Sequence, residues 1–170
     1  MQPLFRRTLL TLGLAALVGL GCGQAAAGPA HGDAQAEAAW LEDLGPALDQ
    51  AAREGKDVLV DFTGSDWCGW CIRLHDEAFG QSAFVDAVSS RFVLVALDFP
   101  KDGGEAWSAM ATDLRERNRN EARAFEITGF PTVLLMTSDG LAYARTGYRK
   151  GGPEAYAEHV LALAAGPDRA

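Results

Sequence analysis

Val58-Leu59-Val60-Asp61-Phe62-Thr63-Gly64-Ser65-Asp66-Trp67-Cys68-Gly69-Trp70-Cys71 is the stretch on which the fold turns. Its first five residues form a β-branched and aromatic run interrupted by one carboxylate, and they follow a turn signal at Gly55. Such a run reads as a short strand buried on both faces, as central strands of mixed sheets are. Thr63-Gly64-Ser65-Asp66 then turns the chain into Trp67 and Cys68. Beyond Cys68, the residues Trp70, Cys71, Leu74 and Ala78 recur at helical spacing until Phe79 and Gly80 close the segment. Cys68 therefore falls at a helix N-terminus, one turn ahead of Cys71.

That placement has chemical content. The thiolate, not the thiol, attacks a disulfide, and free backbone N–H groups with the helix dipole stabilise a negative sulfur. Cys68 reads as the attacking nucleophile and Cys71, facing inward, as the resolving thiol. Two cysteines this close together enclose too small a loop to constrain the unfolded chain much, so a purely stabilising disulfide is the weaker account. Asp66 opposes the dipole, and the spacer between the cysteines holds no Lys, Arg or His, which points to a reductant-like or isomerase-like pair. Structural zinc wants four ligands and there is no second cysteine pair; His31, His75 and His159 are scattered, so no metal site is expected. A binding module or metal chaperone that uses the pair as ligands is the alternative from another class. Copper or haem delivery belongs to it.

The rest of the chain sets the context. It has 170 residues, 15 Lys plus Arg against 23 Asp plus Glu, a formal net charge of -8 and 48% hydrophobic residues. This length suits one domain plus a leader, and the acidity argues against nucleic acid or anionic lipid as a partner. Arg6 and Arg7 precede an almost unbroken apolar run from Leu9 to Leu20, followed by small residues: the anatomy of a secretory signal peptide over residues 1–27. The run falls short of the ~20 apolar residues of a membrane span. Two exits from the leader are open. Ala25-Ala26-Ala27 fits cleavage before Gly28, while Leu20-Gly21-Cys22 resembles a lipoprotein signal in which Cys22 is acylated, though Gly19 stands where that signal has an aliphatic residue. Arg6-Arg7 is also a loose match to a twin-arginine signal. With Cys22 removed or lipidated, Cys68 and Cys71 are the only thiols of the folded domain.

Residues 28–38 read as a flexible spacer and residues 39–166 as the domain. Within the domain, a first amphipathic helix is expected from Trp40 to Glu54, ended by Gly55. Ser82 to Val88 gives a short helix capped by Ser82, and Phe92 to Phe99 a second buried strand stopped by Pro100. Glu105 to Phe125 reads as one charged helix with a solvated outer face. Thr132 to Met136 is a strand, Ser138-Asp139-Gly140 a tight turn and Leu141 to Arg145 the returning strand, broken by Gly147. Glu154 to Ala165 closes the chain as a helix.

The residues Val58 to Phe62, Trp67-Cys68-Gly69-Trp70-Cys71 and Gly129-Phe130-Pro131-Thr132 together resemble the thioredoxin superfamily, from about Trp40 to Ala165. The run from Asp61 to Cys71 is similar to bacterial exported thioredoxin-like proteins. The resemblance implies an α/β thioredoxin-like fold, a central mixed sheet with helices on both faces. It implies dithiol–disulfide exchange on proteins that carry disulfides or thiols, with no cofactor beyond the Cys68–Cys71 redox disulfide. It also implies that Pro131 is cis and, with the backbone of Phe130, pairs with extended substrate, and that Asp61 is a buried carboxylate that helps deprotonate Cys71. Trp67 and Trp70 read as an apolar platform for substrate, or as packing that shields the pair. The chain departs from thioredoxin itself in three ways: Trp70 replaces a Pro, one extra residue separates Asp61 from Cys68, and no lysine lies in the Phe92 to Phe99 strand. A reducing role in an oxidising compartment requires electrons from a membrane donor.

Overall fold

The computed structural model describes residues 33–166. The leader, Cys22 and the spacer up to residue 32 lie outside the described residues.

The β-branched run at the centre of the sequence becomes β2 (Asp57–Thr63), buried along nearly its whole length. It is flanked by β3 (Phe92–Asp98) in parallel and by β4 (Thr132–Met136) in antiparallel register, with Asp61 opposite Ala96 on one side and Val133 on the other. β5 (Ala142–Thr146) pairs antiparallel with β4, and β1 (Trp40–Leu41) pairs parallel with β3, so the sheet order is β1-β3-β2-β4-β5. This is the mixed sheet expected from the sequence. Parallel strands need a crossover, and the segment between β2 and β3 supplies it as α3 (Gly69–Leu74), a π-helical continuation (His75–Phe79) and α4 (Ser82–Val88).

Alternation along the strands sorts the core into two layers. Leu59, Leu94, Val133 and Leu135 face α3, α4 and α7 (Gly152–Ala164), where Phe79, Phe84 and Tyr156 pack against one another. Val58, Val60, Phe62, Val95 and Leu97 face α2 (Leu44–Glu54), with Ala122 and Phe125 of α6 (Thr112–Ala124) and its C-cap on the same side. Helices thus cover both faces. Each fully buried Leu or Phe contributes about 1.5–3 kcal/mol to holding the layers together.

Four expectations need correction. Trp40 and Leu41 are a strand and not the first turn of a helix; α2 starts at Leu44 because the Asp43 side chain caps it, accepting from the Gly45 N–H at 3.1 Å. Residues 105–125 are two helices, α5 (Glu105–Ala109) and α6, separated by extended backbone at Met110 and Ala111. Arg115 reaches back across the break to donate to the carbonyls of Trp107 and Met110, satisfying the end of α5. Ser82 does not cap α4: the N-cap is Gln81, and the Ser82 N–H is taken instead by Asp33 Oδ2 at 3.1 Å. The end of the stretch read as spacer is also structured. Residues Ala34–Glu37 form the short helix α1, Ala36 is fully buried, and the Asp33 N–H donates to the Gly80 carbonyl at 2.7 Å.

Candidate functional site

β2 delivers the chain to the site, and the loop after it is held by its neighbour. Asp98, the last residue of β3, accepts from the Ser65 N–H at 2.9 Å and from the Ser65 hydroxyl at 2.7 Å. Asp66 Oδ1 accepts from the Lys101 N–H at 2.9 Å, so this carboxylate is tied to the loop after β3. Trp67 lays its indole across the same loop, donating from Nε1 to the Phe99 carbonyl at 2.7 Å. Gly64 is required beneath it, since a Cβ there would lie 2.7 Å from the Trp67 ring.

The chain then enters α3. Cys68 is its N-cap in extended conformation, and its Sγ accepts from the Cys71 N–H at 3.3 Å. Cys68 and Cys71 are joined in a disulfide with their Cα atoms 5.2 Å apart. Cys68 is 7% exposed and Cys71 2%, so the more exposed cysteine is the one at the helix N-terminus.

An aromatic rim surrounds the pair. Trp67 and Trp70 are about half exposed, at 49% and 55%. Trp67 meets the edge of Phe130, whose ring packs on Phe99 with centroids 5.0 Å apart. Trp70 rests against Tyr148, with centroids 5.0 Å apart, and under the Arg73 guanidinium at 5.7 Å. Tyr148 is fixed in turn by donating to Glu77 Oε2 at 2.7 Å, and Glu77 pairs with Arg73 at 3.0 Å. The Phe130–Pro131 peptide is cis, and Pro131 immediately precedes β4. Behind it Gly147 approaches closely, since a Cβ there would stand 3.1 Å from the Pro131 carbonyl oxygen.

On the inner side of the pair, Asp61 and Cys71 line one cavity of about 830 Å3, together with Trp40, His75, Asp98 and Leu114. Asp61 is only 6% exposed, its Oδ1 has no hydrogen-bond partner, and among the described residues no lysine or arginine lines the cavity. Burial, with a smaller contribution from the charge of Asp98, pushes its carboxyl up to about 8. His75 is turned toward Glu37, at 2.8 Å. Among the described residues no group of three or more His, Cys, Asp or Glu side chains is placed to hold a metal ion.

Of the residues singled out in the sequence, Cys68 and Cys71 are joined, Trp67 meets Phe130, Asp61 lines one cavity with Cys71, Trp70 packs on Tyr148, and Pro131 follows a cis peptide. Sequence reasoning passed over Asp98, Tyr148 and Phe99. Asp98 ends an apolar strand and looks like a surface carboxylate there, and Tyr148 lies in a loop far along the chain.

The thioredoxin-like domain family matches residues 44–161. The chain belongs to that family. It is 31% identical over 127 residues to the disulfide bond reductase DsbH of Chlamydia pneumoniae, covering 75% of this chain and 73% of the relative. A solved structure of a DsbH oxidoreductase superposes with a TM-score of 0.65 at 30% identity, covering 73% of this chain and 82% of that one. A second relative, the thioredoxin-related protein DsbJ of Chlamydia pneumoniae, is 26% identical over 108 residues, which span 64% of this chain and 30% of that longer protein.

Proposed function

We propose that this protein is an exported thiol–disulfide oxidoreductase that reduces or isomerises disulfides of protein substrates. The observation that carries it is the Cys68–Cys71 disulfide itself, placed at a helix N-terminus inside an exposed aromatic rim. The similarity to a disulfide bond reductase supports the same reading.

In the reducing direction, the Cys68 thiolate attacks a substrate disulfide and forms a mixed disulfide, and one substrate sulfur leaves as a thiolate. Cys71, deprotonated, then attacks Cys68 Sγ; the second substrate thiolate leaves and the Cys68–Cys71 disulfide forms, the two electrons having passed to the substrate. Asp61 is the group that takes up the Cys71 proton and returns one to a departing sulfur. A carboxyl that titrates at about 8 suits both halves of that exchange near neutral pH. Trp67, Trp70, Phe130 and Pro131 hold the substrate, whose extended backbone pairs beside Pro131. The dithiol is recharged by a reduced dithiol partner, a membrane electron donor when the protein works in an oxidising compartment. Export rests on residues 1–27, with Cys22 either removed with the leader or acylated as a tether to the envelope. The mass of the mature protein, with and without Cys22→Ala, separates these two fates.

The deciding experiment is the equilibrium reduction potential of Cys68/Cys71 against glutathione, run beside insulin-disulfide reduction. A potential near about -270 mV with turnover of insulin supports the reductase reading; a value near about -120 mV makes the protein an oxidase. Stoichiometric bound metal without insulin reduction moves the protein to the binding-module class.

A further inference from the structure

Among the described residues no Lys or Arg lines the Asp61 side of the site, and the strand register says what stands there instead. Asp61 is opposite Ala96 in β3, and the β3 residues that share its face are Phe92, Leu94, Ala96 and Asp98. Asp98 is the one charged member of that set. Its carboxylate is also fixed in place. Oδ1 accepts from the N–H groups of Ser65 and Phe99, both at 2.9 Å, and Oδ2 accepts from the Ser65 hydroxyl at 2.7 Å. The backbone carrying it is held by Asn118, a residue only 2% exposed that donates from Nδ2 to the Asp98 carbonyl at 3.0 Å. Asp98 lines the same cavity as Asp61 and Cys71.

We infer that Asp98 is a positioning residue of this reaction: it clamps the loop that carries Trp67 and Cys68, and it sets a negative charge beside Asp61. The inference rests on the reading that Asp61 exchanges a proton with Cys71. A second carboxylate on that face disfavours ionisation of the first, so Asp61 holds a proton to higher pH and is the stronger acceptor when Cys71 gives up its own proton to attack. The charge of Asp98 is second to burial among the causes that act on Asp61. The other titratable groups lining the cavity offset little of it: Glu37 is paired with His75, and Glu42 and Asp76 add negative charge, while Tyr156 of α7, outside that lining, has its hydroxyl pushed up by burial and by Asp61.

The test follows the Asp61 carboxyl carbon by NMR against pH in the oxidised protein, together with the pH profile of insulin reduction, in wild type, Asp98→Asn, Asp61→Asn and Ser65→Ala. Asp98→Asn keeps an acceptor for the two N–H donors and removes the charge, the Ser65 hydroxyl turning from donor to acceptor opposite the new amide. We expect it to move the carboxyl midpoint and the alkaline limb of the rate profile downward together, by on the order of one pH unit. Ser65→Ala loosens the clamp, leaves the charge, and should leave both midpoints in place. Should Asp98→Asn fail to fold, Asp98→Ser carries the same expected shift. An unmoved midpoint in the Asp98 variants, or an equal shift in Ser65→Ala, overturns the inference while Asp61→Asn still abolishes the limb. A limb that persists in Asp61→Asn overturns the role given to Asp61, and this inference with it.

Discussion

Replacing Asp61 with Asn should make the oxidised protein more stable at neutral pH, and by an amount that depends on pH. In the folded chain burial holds the carboxyl at about 8, against 3.8 for the unperturbed group. Between those values the folded state keeps a proton that the unfolded state has lost. Stability from this group is therefore fully present below about pH 4 and is lost as pH rises toward 8, at about 1.4 kcal/mol per pH unit. By pH 7 the wild-type protein has given up roughly 4 kcal/mol in this way, an order-of-magnitude figure. The substituted amide has nothing to ionise, but it brings a second amide hydrogen into a site where Oδ1 of Asp61 already lacks a partner, at a cost of about 1–3 kcal/mol. The variant should thus be no more stable than wild type near pH 4.5 and clearly more stable near pH 7.5. Urea unfolding of both oxidised proteins across that range measures it, and every titrating group they share cancels in the difference. Parallel stability curves, with a constant gap, refute the buried-proton account of Asp61.

Three further outcomes follow from the site. Gly64→Ala forces the Trp67 indole off the Phe99 carbonyl and should cost about 1–3 kcal/mol, seen as a lowered denaturant midpoint with a changed tryptophan emission. Trp70→Ala removes the exposed ring next to Cys68 and should raise KM for insulin by on the order of tenfold, while reduction of a small aromatic disulfide stays near the wild-type rate. An equal loss on both substrates would show that Trp70 supports the disulfide geometry and not substrate binding. Asn118→Ala leaves the Asp98 carbonyl without its buried donor and should lower stability by about 1–3 kcal/mol in chemical denaturation at any pH between 5 and 8.

The parts of the fold legible in the sequence were those with local causes. The apolar runs gave β2, β3 and β4, and the spacing from Cys68 to Phe79 gave the helix that presents the pair. The misreadings share a different origin. Trp40 and Leu41 fit the helical period of Leu44 and Leu48, and only a partner strand 54 positions away makes them a strand. Nothing near Met110 marks a break; the compensation comes from Arg115, one turn into the next helix, bonding backward. Asp33 looks like spacer because its partners, Gly80 and Ser82, are distant in sequence. At the site, residue types and spacing were enough to pick out the cysteines and the flanking tryptophans, while Pro131 was singled out through the resemblance to thioredoxins. Asp98 and Tyr148 act through tertiary contacts with Ser65 and Trp70, and no periodicity encodes those.

β2 divides the chain into places where length can drift and places where it cannot. Its odd-numbered residues from Leu59 to Thr63 face the helix that bears the cysteines, and its even-numbered ones face α2. One residue inserted between Val58 and Asp61 would swing Asp61 into the apolar layer of Val60 and Phe62 and drop an aliphatic side chain behind Cys71. The loop from Gly64 to Trp67 has no such parity. It is held by the Asp98 side chain reaching in from β3 and by its own Asp66 and Trp67 side chains reaching out to the backbone of Lys101 and Phe99, and it accommodates one residue more than thioredoxin has. In descendants of this chain, gaps should accumulate in that loop and be purged from the strand, so the distance from carboxylate to cysteine is free to vary while the parity of the strand is not.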